Sequence, residues 1–399
     1  MPFIMELVVN ELGNGSSVLS GHRVLDLTDE KGMLCSRLLA DMGADVIRIE
    51  KVDRSSGRSP FFTANNLGKR SVSLNLAVKQ GQELFKRLAE TADVVVESYQ
   101  PRYLEALGLG YTELSEINPR LIMASITNFG QHGPYRDYKS DDMVAAALGG
   151  QMYVCGEPQS PPLKPFGHQA YHSACLFTAI GILLALRNRH TSNRGQHIDT
   201  SLQESVVATL DHVLVRYFYQ GVVANRQGSL HWNNAFHIFP CRDGHILLSL
   251  FQQWETLVEW LEDEGMAEDL TDKKWLDREE RLKQLDHILH VLGRWTKNHT
   301  VAELIEKGQL MRFPWAEVSS IPKLMENPQL KERGFFVEVE HPESGRKCKF
   351  PGAPAKLSRS PWRVGSHAPA PGEHNMETYN GELGLSQTDI EVLIKEGVI

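Results

Sequence analysis

The stretch FGHQAYHSACLFTAIGILLALRNRH, Phe166 to His190, gathers histidine, tyrosine, serine and cysteine at the head of a long apolar run. His168 and His172 stand one helical turn apart, a spacing that can hold a metal ion. No third ligand lies nearby in sequence, so satisfied or solvent-facing histidines are the plainer reading and no metal is expected. Cys175 lies between Ala174 and Leu176, where a thiol is ordinarily an inert core residue rather than a nucleophile. What the stretch lacks is an acid: between Glu157 and Asp199 the chain contains neither aspartate nor glutamate. Upstream, Asp141 and Asp142 precede MVAAALGG. They fit a helix start, where backbone N–H groups and the helix dipole favour carboxylates, better than they fit acid–base catalysis. The run KRS at 69 to 71 reads equally as an anion contact or a solvated loop.

The elements that position these residues follow a repeating pattern. RVLDLT (23 to 28) reads as a strand, MLCSRLLADMGA as a helix and DVIRIE as a strand. SVSLNL (71 to 76), the amphipathic KQGQELFKRLAETA, DVVVES (93 to 98), the helical YLEALG and LIMASI (121 to 126) continue the alternation. Strands alternating with helices of this length predict an α/β fold with a mostly parallel sheet covered on both faces. Ligands in such folds lie outside the carboxyl ends of the strands, here at 28 to 32, 50 to 53, 97 to 100 and 127 to 130. No G-x-G-x-x-G or Walker A sequence follows any of them, which argues against a dinucleotide cofactor. Helical spacing covers 168 to 190 and 198 to 220, and AFHIFPCRDGHILLSL (235 to 250) predicts a hairpin around RDG. Two further strands, FFVEVEH and KCKFPG, a proline-rich coil and a last helix, TDIEVLIKEG, close the chain. The expected division is an N-terminal extension over 1 to 20, a large domain over 21 to 200, a linker helix over 201 to 224, a smaller α+β domain over 225 to 330, and a return to the large domain over 331 to 399.

Composition excludes several classes. At 399 residues, 41% hydrophobic and 23% charged, the chain is an ordinary globular protein of more than one domain. A formal charge of −8 and the absence of basic blocks give no reason to expect nucleic acid. Five scattered cysteines, Cys35, Cys155, Cys175, Cys241 and Cys348, suggest neither a disulfide framework nor a zinc site, and a reducing cytoplasm is the expected location. The first residues lack a signal-peptide pattern, and the uninterrupted apolar run LFTAIGILLAL is 11 residues, so no membrane span is expected.

Taken in order, RVLDLT, LLADMGADVIRIEK, NLGKRSVSLNL, DVVVESYQPRYLEALGLGY, NPRLIMASITNFGQHGPYRD, GILLALRNRHTSNRGQHIDTSLQE, NPQLKERGFFVEVEHPESG, PGEHN and LGLSQTDIEVLIKEGVI resemble the family III CoA-transferases. This group includes formyl-CoA transferase, the carnitine CoA-transferases and, more distantly, the α-methylacyl-CoA racemases. The resemblance runs from about residue 21 to the C-terminus. It implies a Rossmann-like large domain built from both ends of the chain, a small domain in the middle, and two subunits interlocked like links. It also implies a mechanism in which a carboxylate attacks an acyl-CoA thioester, giving a mixed anhydride and then an enzyme-bound CoA thioester that passes CoA to an acceptor acid. CoA and acyl-CoA are substrates in that scheme, and no cofactor is permanently bound.

In the family the nucleophile is an aspartate ten residues before the glycine of the GIL motif, and counting back from Gly181 lands on Tyr171. Neighbouring registers find Gln169, Ala170, His172 or Ser173, none a carboxylate. A phenol, with an ordinary pKa of about 10 rather than about 4, is protonated at neutral pH and cannot replace it. The racemase reaction uses the same aspartate, with a histidine where this chain has Asp141. At the CoA site the family's A-G-P turn is Glu30 to Gly32, its Asn-Phe pair is Ser98 and Tyr99, and its arginine is Ala106, with Arg102 one turn earlier as a stand-in. Lys51, Leu74 and Lys139 match positions that border CoA.

The resemblance therefore implies one half of a heteromeric CoA-transferase whose paralogous subunit carries the working aspartate. Within the family it resembles a two-gene enzyme of anaerobic toluene breakdown, with succinyl-CoA as donor and a benzylsuccinate-type acid as acceptor. Two alternatives stay open: a self-sufficient transferase or CoA lyase using another carboxylate, Asp142 first, and an acyl-CoA-binding protein without chemistry.

Overall fold

The structure, a computed structural model, describes residues 17–52, 58–231, 235–340 and 345–399. The chain forms two compact units, each with its own core. The larger takes the described residues of Met1–Tyr153, Lys164–Ala224 and Glu332–Ile399; the smaller takes Val154–Leu163 and the described part of Asn225–Lys331.

In the larger unit the elements run β1 (Arg23–Leu27), α1 (Met33–Asp41), β2 (Asp45–Glu50), α2 (Pro60–Asn65), β3 (Arg70–Ser73), α3 (Lys79–Glu90), β4 (Val94–Glu97), α4 (Tyr103–Ala106), α5 (Tyr111–Ile117), β5 (Ile122–Thr127), α6 (Asp142–Leu148), α7 (Gln169–Ser192), β6 (His197–Ser201), α8 (Leu202–Ala208) and α9 (Asp211–Gln220). The six strands pair in the order β3-β2-β1-β4-β5-β6, and every pairing is parallel. Near-continuous Val and Ile runs make this possible, because a parallel strand buries both faces. Val94 and Val96 of β4 pack in the layer with α1 and α7, and Val95 in the opposite layer with Leu84, Phe85 and Leu88 of α3.

Three expectations need correction. The helix expected to start near 198 is preceded by β6, whose polar HIDTS sequence carries little strand signal. The stretch 201 to 224, expected as a linker helix, holds α8 and α9 within the larger unit, while Val154–Leu163 goes with the smaller one. By length and composition α7 could cross a membrane, although half of its apolar window is buried inside the fold. The apolar run Leu176 to Leu186 understated it, because the helix extends through Gln169 to Ser192.

In the smaller unit β7 (Leu230–His231), β8 (Phe236–Pro240), β9 (His245–Ser249) and β10 (Ala316–Glu317) form an antiparallel sheet, order β10-β9-β8-β7. It is joined by α10 (Trp254–Asp263), α11 (Arg278–Lys283), α12 (Leu285–Thr296) and α13 (Val301–Leu310). Its core is aromatic, with Trp260, Trp295 and Trp315 packed together. The indole N–H groups of Trp260 and Trp295 both donate to Glu264, at 2.8 and 2.7 Å, satisfying donors that burial would otherwise strand.

The chain then returns to the larger unit through the β11 (Phe336–Glu340) and β12 (Lys347–Pro351) hairpin. The segment beyond it is tied to β3: the Tyr379 hydroxyl donates to Ser73 O (2.8 Å), and the Asn375 side chain both donates to Ser73 Oγ (2.7 Å) and accepts from Ser73 N (2.9 Å). Gly365 lies so close to Gly68 that a Cβ on it would fall 2.1 Å from the Gly68 Cα, so no side chain fits there. A last helix, α14 (Gln387–Lys395), starts from a capping box made by Ser386 and Asp389.

Candidate active site

The strand order reverses between β1 and β4, so the ligand crevice of the sheet opens beyond the carboxyl ends of those two strands. The floor beneath it is charged. Asp26, fully buried in β1, accepts from Thr28 Oγ1 (2.6 Å), Ser36 Oγ (2.7 Å) and Lys69 Nζ (2.8 Å), with Arg48 Nη1 at 3.3 Å. Burial opposes its charge, but the Lys69 ammonium and Arg48 guanidinium hold its carboxyl well below the usual range. Burial pulls Lys69 down to about 8. Lys69 also donates to Met33 O (3.0 Å) and Asn66 Oδ1 (2.8 Å), so the anion it meets is internal and it anchors the start of α1.

Above this floor the β1–α1 loop meets β4. The Asp29 N–H donates to Ser98 Oγ (2.7 Å), and Ser98 Oγ donates to Asp29 Oδ1 (2.8 Å). Lys31 closes an ion pair with the other Asp29 oxygen. The Tyr99 N–H donates to Glu97 Oε2 (2.7 Å), and the Tyr99 ring lies 4.6 Å from that of Tyr103. Burial pushes Glu97 up to about 7, against hydrogen bonds from Ser125 and the Tyr99 N–H. Ser125 Oγ in turn sits 2.9 Å from His197 Nε2.

The head of α7 forms the other wall. Tyr171 is 8% exposed and its ring is stacked 5.6 Å from that of His168, which lies 4.6 Å from Phe61 of α2. Burial, with the negative charges of Asp29, Asp141 and Asp142, pushes the Tyr171 phenol up to about 12. The Tyr171 backbone N–H donates to Asp142 Oδ1 (3.1 Å), and Asp142 Oδ2 pairs with Lys164 Nζ (2.8 Å). Asp141 caps α6 by accepting from Val144 N (2.9 Å), while Asp142, one residue on, turns inward and caps α7 instead. Burial and His168 lower the His172 pKa, favouring the neutral ring. Cys175 is buried, its thiol pushed up to about 12 by burial, and it donates to Lys31 O at 3.1 Å. That is the inert core thiol the sequence suggested.

Of the residues singled out from the sequence, Ser98 and Tyr99 stand at the end of β4, and Tyr171 and Asp142 at the head of α7. Arg102 is exposed, with a left-handed backbone (φ 70°) at the start of α4, and its charge reaches Asp137. Lys51 and Lys139 are exposed, and the Leu74 side chain is buried in the core layer that includes Phe85. Asp29, Glu97 and Lys164 were missed. Asp29 follows the first strand as any loop residue could, and nothing in the spacing of Lys164 ties it to Asp142. Among the described residues no group of three or more His, Cys, Asp or Glu side chains could hold a metal ion.

The family model for CoA-transferase family III matches residues 19–375. This chain is a family III CoA-transferase. It is 32% identical to succinyl-CoA:(R)-benzylsuccinate CoA-transferase subunit BbsE of Thauera aromatica, over 95% of this chain and 98% of that one. It is also 32% identical to the succinyl-CoA–L-malate CoA-transferase beta subunit of Chloroflexus aurantiacus, over 96% of this chain and 98% of that one. Among solved structures, a CaiB/BaiF family protein from Brucella suis superposes with a TM-score of 0.81 at 27% identity, covering 92% of this chain and all of that one. The chemistry of the family is CoA transfer between thioesters and carboxylates, without a permanent cofactor.

Proposed function

We propose that this transferase chain is the non-nucleophilic subunit of a heteromer, stabilising and shaping a paralogous subunit that carries the catalytic aspartate. One observation carries the reading: the position where the family keeps its nucleophile is Tyr171, a buried phenol held protonated, with no acidic side chain elsewhere on α7. In the working subunit the aspartate oxygen attacks the thioester carbonyl, CoA leaves as thiolate, and a mixed anhydride forms. That thiolate then attacks the anhydride at the aspartyl carbonyl, releasing the donor acid. The acceptor carboxylate then attacks the aspartyl-CoA thioester, expelling CoA thiolate and forming a second anhydride, and the thiolate attacks that anhydride at the acceptor carbonyl, releasing the new acyl-CoA and the free aspartate. The first step needs an ionised side-chain carboxylate as nucleophile, and every intermediate after it is carried on that group and must be shielded from water. Tyr171 offers none.

Two further facts support the reading. Both relatives named above are subunits by name. The outer face of α7 exposes Leu176, Phe177, Ile180 and Leu184, beside the exposed Met143 and Leu148 of α6, an apolar surface of the kind a subunit partner covers. By similarity the donor is succinyl-CoA and the acceptor a benzylsuccinate-type acid, which would give the pair a place in anaerobic toluene breakdown. Ser98, Tyr99, Arg102, Lys51, Lys139 and the Leu74 backbone are the groups proposed to border any CoA that enters this subunit. The test is to assay CoA transfer from succinyl-CoA to (R)-benzylsuccinate with this chain alone and with its co-encoded paralogue. Activity confined to the mixture is the expected outcome, and robust turnover by the lone chain would sink the helper role.

A second reading rests on Asp142, the carboxylate at the head of α7. It would make the chain self-sufficient, as a transferase or CoA lyase. Its two oxygens are taken by the Tyr171 N–H and by Lys164, which favours a positioning role over attack on a carbonyl. Asp142→Asn distinguishes the two. Loss of all turnover with the oligomer intact would identify a nucleophile, whereas the helper reading expects lowered stability and turnover that follows the amount of complex assembled. CoA binding without turnover in any complex would instead identify a non-catalytic acyl-CoA-binding protein.

A further inference from the structure

The smaller unit carries a cavity of about 250 Å³ at the start of α10, lined by Gln253, Trp254, Glu255, Thr256, Leu276 and Arg281. Gln253 precedes the helix in a left-handed conformation (φ 52°), and no side chain caps the helix. Leu257 N–H reaches back to Gln253 O at 3.1 Å, so the amides of Trp254, Glu255 and Thr256 are the open first-turn donors. An uncapped helix start alone would mean little. Here a second feature stands beside it.

Arg281 is 8% exposed, yet its guanidinium has fewer acceptors than donors. Nη1 donates to Trp275 O at 2.8 Å; Nε has no partner but is closed off from the cavity, so the remaining Nη hydrogens are the ones a ligand can meet. The guanidinium carbon lies 5.0 Å from the centre of the Trp254 ring and 5.6 Å from that of Phe251, which places the charge beside the first residue of α10. A buried arginine with an unused donor, next to open amides at the positive end of a helix, has the donor set of an oxyanion site. Glu255, exposed at the rim, penalises a second negative charge on the ligand. Trp254 and Leu276 supply apolar wall for a carbon skeleton.

We propose that this cavity binds the carboxylate of a small organic acid, held by the first-turn amides of α10 and by Arg281. The site lies wholly within the smaller unit and does not depend on which subunit carries the nucleophile. The test uses the full chain, titrated with sodium acetate, sodium succinate and inorganic phosphate at constant ionic strength against a chloride control. Binding is read from the backbone amide resonances of Trp254, Glu255 and Thr256. Saturable shifts of these amides with acetate and succinate are expected, weakened about ten-fold or more in Arg281→Gln, which removes a charge-assisted donor. Glu255→Gln should tighten phosphate more than acetate by relieving repulsion at the rim. Amides that move no more than in chloride, or an affinity unchanged in Arg281→Gln, would overturn the site. Phosphate binding more tightly than acetate in the unmodified chain would overturn the carboxylate assignment. Should Arg281→Gln not fold, the amide map of the unmodified chain and the Glu255→Gln shift decide alone.

Discussion

Burial raises the pKa of both Tyr171 and Glu97, with different consequences near neutral pH. The phenol is pushed up to about 12 and never ionises near neutrality. Glu97, pushed up to about 7, titrates near neutral pH. Its folded-state pKa lies above its unfolded value, so protonation favours the native state. The stabilisation is complete below about pH 4.5 and is lost as pH rises toward 7, up to about 3 kcal/mol for a shift of this size. Glu97→Gln, which keeps a neutral side chain of the same shape, should flatten this part of the pH dependence, measured as the change in Tm between pH 5 and 7.5. An unaltered slope would place the titrating group elsewhere. That Tyr171 stands ten residues before Gly181 was legible in the sequence because the GIL motif gives a fixed point to count from. Asp29 and Lys164 were not, since each meets its partner only after strands far apart in the chain are brought together.

Helix α7 shows how far an element can be read from its residues. Its apolar character is plain in the sequence, but which face is buried is not, because the residues are apolar all round. The structure buries Ala174, Cys175, Thr178 and Ile182 and leaves Leu176, Phe177, Ile180 and Leu184 outside. Replacing Ile180 or Leu184 with glutamate should therefore change the stability of the isolated chain by no more than about 0.5 kcal/mol, as at other surface positions. The same variants should abolish association with the paralogue in sedimentation or gel-filtration experiments. Large unfolding shifts in the isolated chain would mean that this face is already covered within the fold. Strand β6 escaped sequence reading for the opposite reason: it lies at the edge of the sheet, and its alternation of exposed and half-buried residues gives HIDTS no continuous apolar signal.

At the scale of the molecule, the parallel α/β architecture was legible from alternating periodicities, and the hairpin of the smaller unit from the RDG turn between two apolar runs. The allocation of Val154–Leu163 was not, because it depends on contacts with residues beyond 224, including the Gly228 N–H donating to Gly156 O at 3.0 Å. The larger unit also needs its distant end. Truncating the chain before Trp362 removes the bond from its indole to Asp41 (3.2 Å), together with the Asn375 and Tyr379 ties to Ser73. Such a truncation should unfold the larger unit while the smaller keeps its near-ultraviolet tryptophan signal, measured by circular dichroism. Loss of that tryptophan signal as well would show that the smaller unit cannot stand without the larger.

Those same ties to β3 set a timetable for synthesis. A ribosome delivers the smaller unit complete while the open edge of the six-stranded sheet still waits for Asn375 and Tyr379, so the nascent chain carries one finished body and one unfinished one. The unfinished sheet is the part exposed to chaperones and proteases, and a message broken late in its reading frame yields a product in which only the central portion survives as a folded fragment.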